Sequence, residues 1–576
     1  MSRVTVASRS RVRSPSDLSS VPSPRDGEVR RGIGRWPLSL LVSGLVVLIG
    51  AVRISLSLGH PFLPFSDVAF IELDVRQATH LAAHLGPYSQ YGWHHPGPAM
   101  FYLFAPLYWL SGSSSRALFL DAWLLNGLTA LLTVVIVRRQ AGETAARIAA
   151  VAIGVYLGAT GFSELINPWN PALLPLPVLL LLVAGAAAAT GDRWSLALVY
   201  LVASFVVQTH VGTVPIAAGV VIIATAGFAF ARRRRARSPT LSTEEHPAGR
   251  RSWRRVVRSP WPITSGLLAL VWLAPIAQEL AHPGNGNLTA IVRFFLHPAA
   301  AGGPSSHSLA DGLAAISGSA SVVPLGTPVD VLGHRYRFLA AGAVALIGLV
   351  TWFVGRRRSP FIAYLALSTP IGLAIAVVAA TRVAGPYYSY LFTWASSLGI
   401  PAIIGAGVLL WSAASTGVRR LARPPRRLLR TVTALGILTA LAIVAVWLDR
   451  VIIRPSTAWN ADQRDSRAVA GRIEQLVGQD RSTAFTLHIV QEQGQTGPVI
   501  LELAKDGYRF RVVPRMDLYG GTTAAAPTGP TFELQSHGPY EYRVLPGTPE
   551  LATGTIQVYL APGPLPGSRV PPGARA

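Results

Sequence analysis

The stretch SDVAFIELDVRQATHLAAHLGPYSQYGWHHPGPAMFYLFAPLYWLSG, starting at Ser66, gathers Asp67, Glu72, Asp74, His80, His84, His94 and His95 just after a long apolar run. A carboxylate at the edge of a hydrocarbon layer is costly unless it is solvated, paired or used. Asp67 stands only a few residues beyond that run and is the first candidate for a functional role. Glu72 is the second acid, and Arg76 follows it at the i, i+4 spacing of an ion pair on a helix. Asp74 is expected to be merely solvated. A rigid His-Pro-Gly-Pro turn would hold His94 and His95 at headgroup level as hydrogen-bond donors or acceptors. They make a poor metal pair, because adjacent side chains of an extended segment diverge and no carboxylate stands at a standard ligand spacing.

Further candidates follow along the chain. In SELINPWNP, Glu164 and Asn167 share a short rigid turn with Trp169 and Asn170. Gln208 and His210 end an apolar run, a place where capping, snorkelling and substrate contact compete. Arg382, in TRVAGPYYSY beside Tyr387 and Tyr388, is a cation that the charge bias of membrane loops does not call for. Its planar guanidinium suits a bidentate contact with a phosphate, whether of a lipid substrate or of an ordinary headgroup. Arg116, at the start of another run, is the second such cation.

The elements that must position these groups are membrane helices. With 576 residues, 14% of them charged, and a mean hydropathy of +0.40, the chain reads as a polytopic α-helical membrane protein. Apolar runs of about 17 to 22 residues are long enough to cross a hydrocarbon core of roughly 30 Å. They fall near 36–58, 117–137, 146–161, 171–189, 193–209, 212–231, 261–280, 338–355, 360–380, 389–412 and 431–448, about eleven transmembrane helices. The net charge of +24 sits mainly in arginine clusters between runs, and threading the runs in alternation puts those clusters on the side of the N-terminus. The basic charge is therefore assigned to a cytoplasmic membrane face, with a lipid bilayer and no nucleic acid as partner. The run at 98–112 would invert that pattern if it crossed; short, aromatic and broken by Pro106, it reads as an interfacial helix.

These choices divide the chain. Residues 1–35 form a disordered basic cytoplasmic tail, and 36–449 a transmembrane domain in the cell's inner membrane, with a first outer loop at 59–116, a basic cytoplasmic loop at 232–259 and an outer loop at 281–337. Residues 450–562 read as a soluble extracytoplasmic α/β domain, from a helical period in RDSRAVAGRIEQLVGQ and strand-like STAFTLHIV, YRFRVVP and TIQVYLAP, and 563–576 as a disordered tail. Cysteine is absent, which rules out disulfides and thiolate metal sites. No Walker loop, dinucleotide fingerprint, HExxH or GxSxG occurs, so ATP-driven and common hydrolase chemistries are not indicated.

The order of these features resembles the C-type glycosyltransferase superfamily (GT-C), which includes protein O-mannosyltransferases, lipid A aminoarabinose transferases and arabinosyl- and mannosyltransferases of actinobacterial envelopes. The likeness rests on an acidic motif past the first span (SDVAFIELD), a proline turn into an aromatic interfacial helix (HHPGPAMFYLFAPLYWLSG) and an arginine opening the next span (SGSSSRAL). Motif-like features cover roughly 36–212, and the many-span topology extends to 449. The resemblance implies a sugar donor linked to polyprenyl phosphate and an envelope glycan, glycolipid or protein as acceptor. It implies Asp67 as base, with Glu72 as a second acid more widely spaced than in the family. Glu164 falls where some members carry a further acid, and His94 and His95 where relatives often have lysine or histidine; phosphate contact by Arg382 has looser family support. Only part of the superfamily uses a divalent metal, and with no ligand set here, metal-independent or weakly metal-dependent transfer is expected. The rival readings are a transporter or flippase of a lipid-linked envelope precursor, which would place charges near mid-bilayer, and a non-catalytic envelope scaffold, for which Asp67 would be dispensable.

Overall fold

The computed structural model describes residues 37–89, 91–160, 163–237, 259–297, 306–320, 334–418, 457–478, 481–491, 496–513, 529–536, 549–552 and 556–560. The expected tails at 1–35 and 563–576, the span near 431–448 and most of the basic loop 232–259 lie outside the described residues.

Long uncharged apolar segments become helices because only a helix satisfies every backbone donor and acceptor within one segment in lipid. Seven helical segments among the described residues are long and apolar enough to cross a membrane, and the chain is a polytopic α-helical membrane protein with an α/β domain at its C-terminal side. The first is α1 (Leu38–Ser55), whose Leu41, Leu45, Leu48 and Val52 are exposed as an apolar stripe. Two short helices follow, α2 (Asp67–Thr79) and α3 (Ala99–Leu110). At a 1.5 Å rise, the 12 residues of α3 reach only about 18 Å, too short to cross. Helix α4 (Arg116–Thr160) joins the runs expected at 117–137 and 146–161 as two arms broken at Gly142, which has φ 87°. Glu143 beside the break accepts from the Ser39 amide and hydroxyl, both at 3.0 Å, and pairs with Arg138 and Arg147, tying the kink to the start of α1.

The one-turn α5 (Ser163–Ile166) leads to α6 (Pro175–Ala189), every residue of which is buried. Around α6 pack α4, α7 (Arg193–Thr209), α8 (Val214–Ala236) and a later span, α13 (Pro360–Ala380). Between them in sequence lie α9 (Trp261–Ala281), α10 (Asn287–Leu296), α11 (Leu309–Ala320) and α12 (His334–Gly355). A 3-10 segment, Ser389–Ser397, then runs into α14 (Ile400–Val418).

The C-terminal domain has helix α15 (Thr457–Val477), strand β1 (Phe485–Gln491), helix α16 (Thr496–Lys505), then β2 (Phe510–Val513), β3 (Thr531–Ser536), β4 (Leu551–Ala552) and β5 (Ile556–Leu560). The sheet order is β2-β1-β3-β5-β4, with β1 parallel to β2 and β3 and with β5 antiparallel to β3. Helix α15 and strands β1, β2 and β5 fall where the sequence pattern put them; α16, β3 and β4 were not anticipated. One sheet face packs Phe485, Leu487, Val512 and Phe532 against Ile473 of α15 and Val499 and Leu503 of α16. The same cluster contains Leu63, Ala69, Phe70 and Leu73, so α2 supplies part of the core of the C-terminal domain.

Close approach of α1 and α4 depends on small residues, as is usual where lipid gives no hydrophobic drive to association. A Cβ on Gly50 would lie 2.1 Å from the Trp123 ring, whose Nε1–H donates to the Val47 carbonyl at 2.8 Å. Gly44 on the same helix has nothing within 4 Å. Gly50→Leu is expected to cost about 1 to 3 kcal/mol through overpacking and to lower Tm in detergent, whereas Gly44→Leu leaves Tm nearly unchanged.

Candidate functional site

Asp67 is the first residue of α2, where free helix amides favour negative charge. Ser66 before it holds φ 53° without capping the helix through its side chain, a conformation that costs about 1 to 3 kcal/mol in a non-glycine residue and recurs at functional sites. The Tyr88 hydroxyl donates to Asp67 Oδ1, and the Trp169 side chain is hydrogen-bonded to the same carboxylate. Burial raises the Asp67 carboxyl above its ordinary value, and these two hydrogen bonds oppose the rise without cancelling it. Tyr390 closes the notch, with its ring 5.4 Å from Trp169. Asp67 is therefore a half-buried carboxylate held among aromatic hydroxyl and indole donors.

The turn that carries Trp169 links this notch to a second polar group. Asn167 Oδ1 accepts from the Trp169 amide at 3.0 Å, and Asn170 Nδ2 donates to the Thr209 carbonyl at 3.1 Å, one residue before His210. The rings of His210 and His95 lie 4.5 Å apart, and both are buried. His95 Nδ1 accepts from the Val211 amide at 3.2 Å and His210 Nδ1 from the Gly212 amide at 3.1 Å. Each acceptance assigns the proton to Nε2, so both rings are neutral Nε2–H donors. No described residue accepts from either Nε2. The Trp93 ring meets His95 edge-on at 5.6 Å, and its buried Nε1–H also has no partner among the described residues. Three N–H donors of one cluster thus have no acceptor among the described residues.

His94 and Gln208 are held as scaffolding around this cluster. His94 Nδ1 donates to the Gly86 carbonyl at 2.9 Å, and its backbone exchanges hydrogen bonds with the Asn287 side chain at 2.8 and 2.9 Å. Gln208 donates to the Val271 carbonyl at 3.1 Å and accepts from the Ala99 amide at 3.3 Å, joining α7, α9 and the start of α3.

Glu72 occupies a different place from Asp67. Five residues further on, it projects ~140° round α2, at 3.6 residues per turn. Its carboxylate is sealed from solvent and accepts from the Tyr108 hydroxyl at 2.9 Å and the Ser115 hydroxyl at 3.0 Å, and it is ion-paired with Lys505. Glu72 thus pairs with Lys505 rather than with Arg76, the partner its spacing suggested. Asp74, expected to be merely solvated, is half-buried, and burial raises its carboxyl well above the usual range.

The other expected residues are scattered. Arg116 Nε donates to the His60 carbonyl at 3.1 Å and the guanidinium lies over the Phe62 ring, which fixes the loop before α2. Tyr387 stacks on His307 at 3.8 Å and donates to the Ala380 carbonyl; Tyr388 stacks on Tyr390 and is exposed. Arg382 is exposed, and its guanidinium has no ion-pair or hydrogen-bond partner among the described residues. Glu164 lies in α5, with its side chain outside the described residues. No group of three or more metal-ligating side chains occurs among the described residues.

Bundle, short-helix platform and docked sheet define a polytopic α-helical membrane protein with an α/β domain at its C-terminal side. No protein-family model and no curated protein matches the chain. Among solved structures, the chain is similar to ArnT from Cupriavidus metallidurans bound to undecaprenyl phosphate, with a TM-score of 0.47 and 15% identity over 90% of this chain and 99% of that one. The apo form of that ArnT gives the same TM-score, 0.47, and 15% identity over 90% of this chain and 98% of its own.

Burial pushes His210 down to about 4 and His95 well below the ordinary 6.5, the neighbouring imidazoles adding to the second shift. In the unfolded chain both rings take up a proton near pH 6.5, whereas the folded chain resists. Stability is therefore fully present above about pH 6.5 and falls as pH drops from there towards about 4. His210→Asn, which can still accept from the Gly212 amide but cannot titrate, is expected to shrink the difference in Tm between about pH 7.5 and about pH 5.

Proposed function

We propose that this chain is a membrane glycosyltransferase. It takes a sugar from a polyprenyl-phosphate donor and places it on a hydroxyl of an envelope glycan, glycolipid or protein, at the extracytoplasmic face where Asp67 and the C-terminal domain would lie. The observation that carries the reading is the Asp67 notch: a carboxylate with a raised pKa, fixed by Tyr88 and Trp169, and joined through the Trp169–Asn170 turn to a cluster of three N–H donors without acceptors among the described residues. Undecaprenyl phosphate, present in the ArnT complex, is a lipid of the class this reading assigns to the leaving group.

The chemistry follows from the two halves of the site. Asp67 takes the proton of the acceptor hydroxyl as its oxygen attacks the anomeric carbon, and the bond from that carbon to the phosphate oxygen breaks. A single displacement of this kind inverts the configuration of the sugar. Charge builds on the departing phosphate, and preorganised donors aimed at it lower the barrier. The Nε2–H groups of His95 and His210, the Nε1–H of Trp93 and the free guanidinium of Arg382 are the groups assigned to that task. None of these steps calls on a metal, and dependence on a divalent ion is an open variable of the assay.

Asp121 is the observation that speaks for the rival reading as a transporter: it is buried in α4, and its Oδ2 has no hydrogen-bond partner among the described residues. A transport relay would place ionisable groups towards the middle of a span. Asp121 is five residues into α4, only about 7.5 Å from its platform end.

Purified protein supplied with a panel of polyprenyl-phosphate sugars should consume at least one donor, and Asp67→Asn should slow transfer by about 10²- to 10⁴-fold, the usual worth of a general base. Unchanged consumption in that variant removes Asp67 as the base, and no consumption of any donor removes the transferase reading. Because burial raises the Asp67 carboxyl, the acidic limb of kcat/KM should lie above the ordinary carboxylate range. Tyr88→Phe deletes a hydrogen bond that lowers this pKa, so the limb should move to still higher pH.

A further inference from the structure

Of the 51 basic residues of the chain, one is lysine: Lys505. It ends α16, and its ammonium reaches across the junction between the domains to the sealed Glu72 carboxylate of α2. Lys505 Nζ also donates to the Ser115 hydroxyl at 2.7 Å and lies 6.0 Å from the centre of the Tyr108 ring. Tyr108 and Ser115, from α3 and the start of α4, donate to the same Glu72 oxygen. Four segments therefore converge on one carboxylate. A compact ammonium suits such a convergence, whereas the planar fork of an arginine favours a carboxylate with both oxygens presented side by side.

A second contact runs in parallel. A Cβ on Gly497, at the start of α16, would lie 2.8 Å from the Phe70 ring, so helix and ring touch directly. Phe70 packs its edge on Tyr88 at 5.9 Å, and Tyr88 donates to Asp67. The Leu63 amide, just before α2, donates to Gln463 of α15 at 3.4 Å. The first turns of α2 are thus held by the C-terminal domain at Leu63, Phe70 and Glu72 as well as by Tyr88 and Trp169 at Asp67.

We propose that the C-terminal domain is a positioning unit for the transfer reaction, with Lys505 as its positioning residue: acting through Glu72, it sets the rotation and depth of α2 and hence the place of Asp67. This rests on the reading of Asp67 as base. Lys505 touches no reacting atom. Its removal leaves the Glu72 carboxylate buried without its counter-charge, and α2 relieves that by turning or sliding. Misplacement by about 1 Å can cost on the order of 10²-fold in rate even when its cause is remote from the chemistry.

The test uses the full chain in lipid nanodiscs. Lys505→Met should lower kcat by about tenfold or more with the donor KM nearly unchanged, and should shift the acidic limb of the pH profile as Asp67 loses its contacts with Tyr88 and Trp169. Adding Glu72→Gln to Lys505→Met removes the orphaned charge and should recover part of kcat, whereas Lys505→Arg should not restore it. Wild-type kcat and an unmoved limb in Lys505→Met overturn the proposal. If Lys505→Met does not fold, the lone ε-amine supplies a second measurement. Mass spectrometry of the Lys505 peptide should show slow amine-reactive labelling in the wild type and fast labelling in Glu72→Gln, with kcat falling in step. Labelling of native wild type as fast as in denaturant, or fast labelling of Glu72→Gln with wild-type kcat, also overturns it. Asp67→Asn separates the two ideas: full activity there removes the base, while Lys505 protection and the kcat of Lys505→Met still judge the docking.

Discussion

Helix α2 belongs to two cores at once, and the remaining structure is arranged around that constraint. Ile71, Val75 and Ala78 pack with Phe101, Phe104 and Tyr108 of α3 against the bundle, while Ala69, Phe70 and Leu73 complete the hydrophobic core of the α/β domain. A 13-residue helix is marginal by itself and takes its stability from the surfaces it buries. Glu72 lies on the seam between the two apolar faces, where Lys505, Tyr108 and Ser115 all meet its Oε1 and offset the cost of the buried charge, while Oε2 has no hydrogen-bond partner among the described residues. The ion pair thus specifies a docking geometry more than it adds stability, since a well-packed apolar pair could occupy the same volume.

This constraint explains why two carboxylates five residues apart behave differently. Asp67 keeps one side open and binds two donors that do not neutralise it, so burial leaves it a stronger base. Glu72 has a full counter-charge and no access. The histidines show the same division: His94 donates its Nδ1–H to a backbone carbonyl, whereas His95 and His210 spend Nδ1 as acceptors and leave Nε2–H without an acceptor among the described residues. Backbone amides and carbonyls decide which imidazole atoms remain available.

The membrane half was largely legible in the sequence because apolar length is a local property. The described spans fall on the expected runs, and the 12 residues of α3 show why PAMFYLFAPLYWLSG could not be a full crossing. Parts of the C-terminal domain were less legible: α16 interleaves Pro498 and an apolar stretch at 499–501, and β3 is a short, mixed TFELQS whose strand state depends on pairing with β1 and β5. The site was legible in residue types but not in partnerships. Asp67, His95 and His210 stood out by type and position. That Tyr88 and Trp169 would hold Asp67, or that Lys505 would claim Glu72 from 433 positions away, depends on long-range packing that no local spacing encodes. The rarity of lysine among so many arginines was the one available signal for Lys505.

Placement of the polar groups at one end of the bundle follows from the same physics. Helix α6 is uniformly apolar and wholly enclosed, so this helix offers no side-chain contact to a charged or hydroxylated ligand. Irregular backbone, which alone can present free amides to His95 and His210, is tolerated in such a protein only where helices end and protein covers it. The short helices α2 and α3 and the docked sheet provide that cover. Burial in this region is what shifts the pKa of Asp67 and of the two histidines.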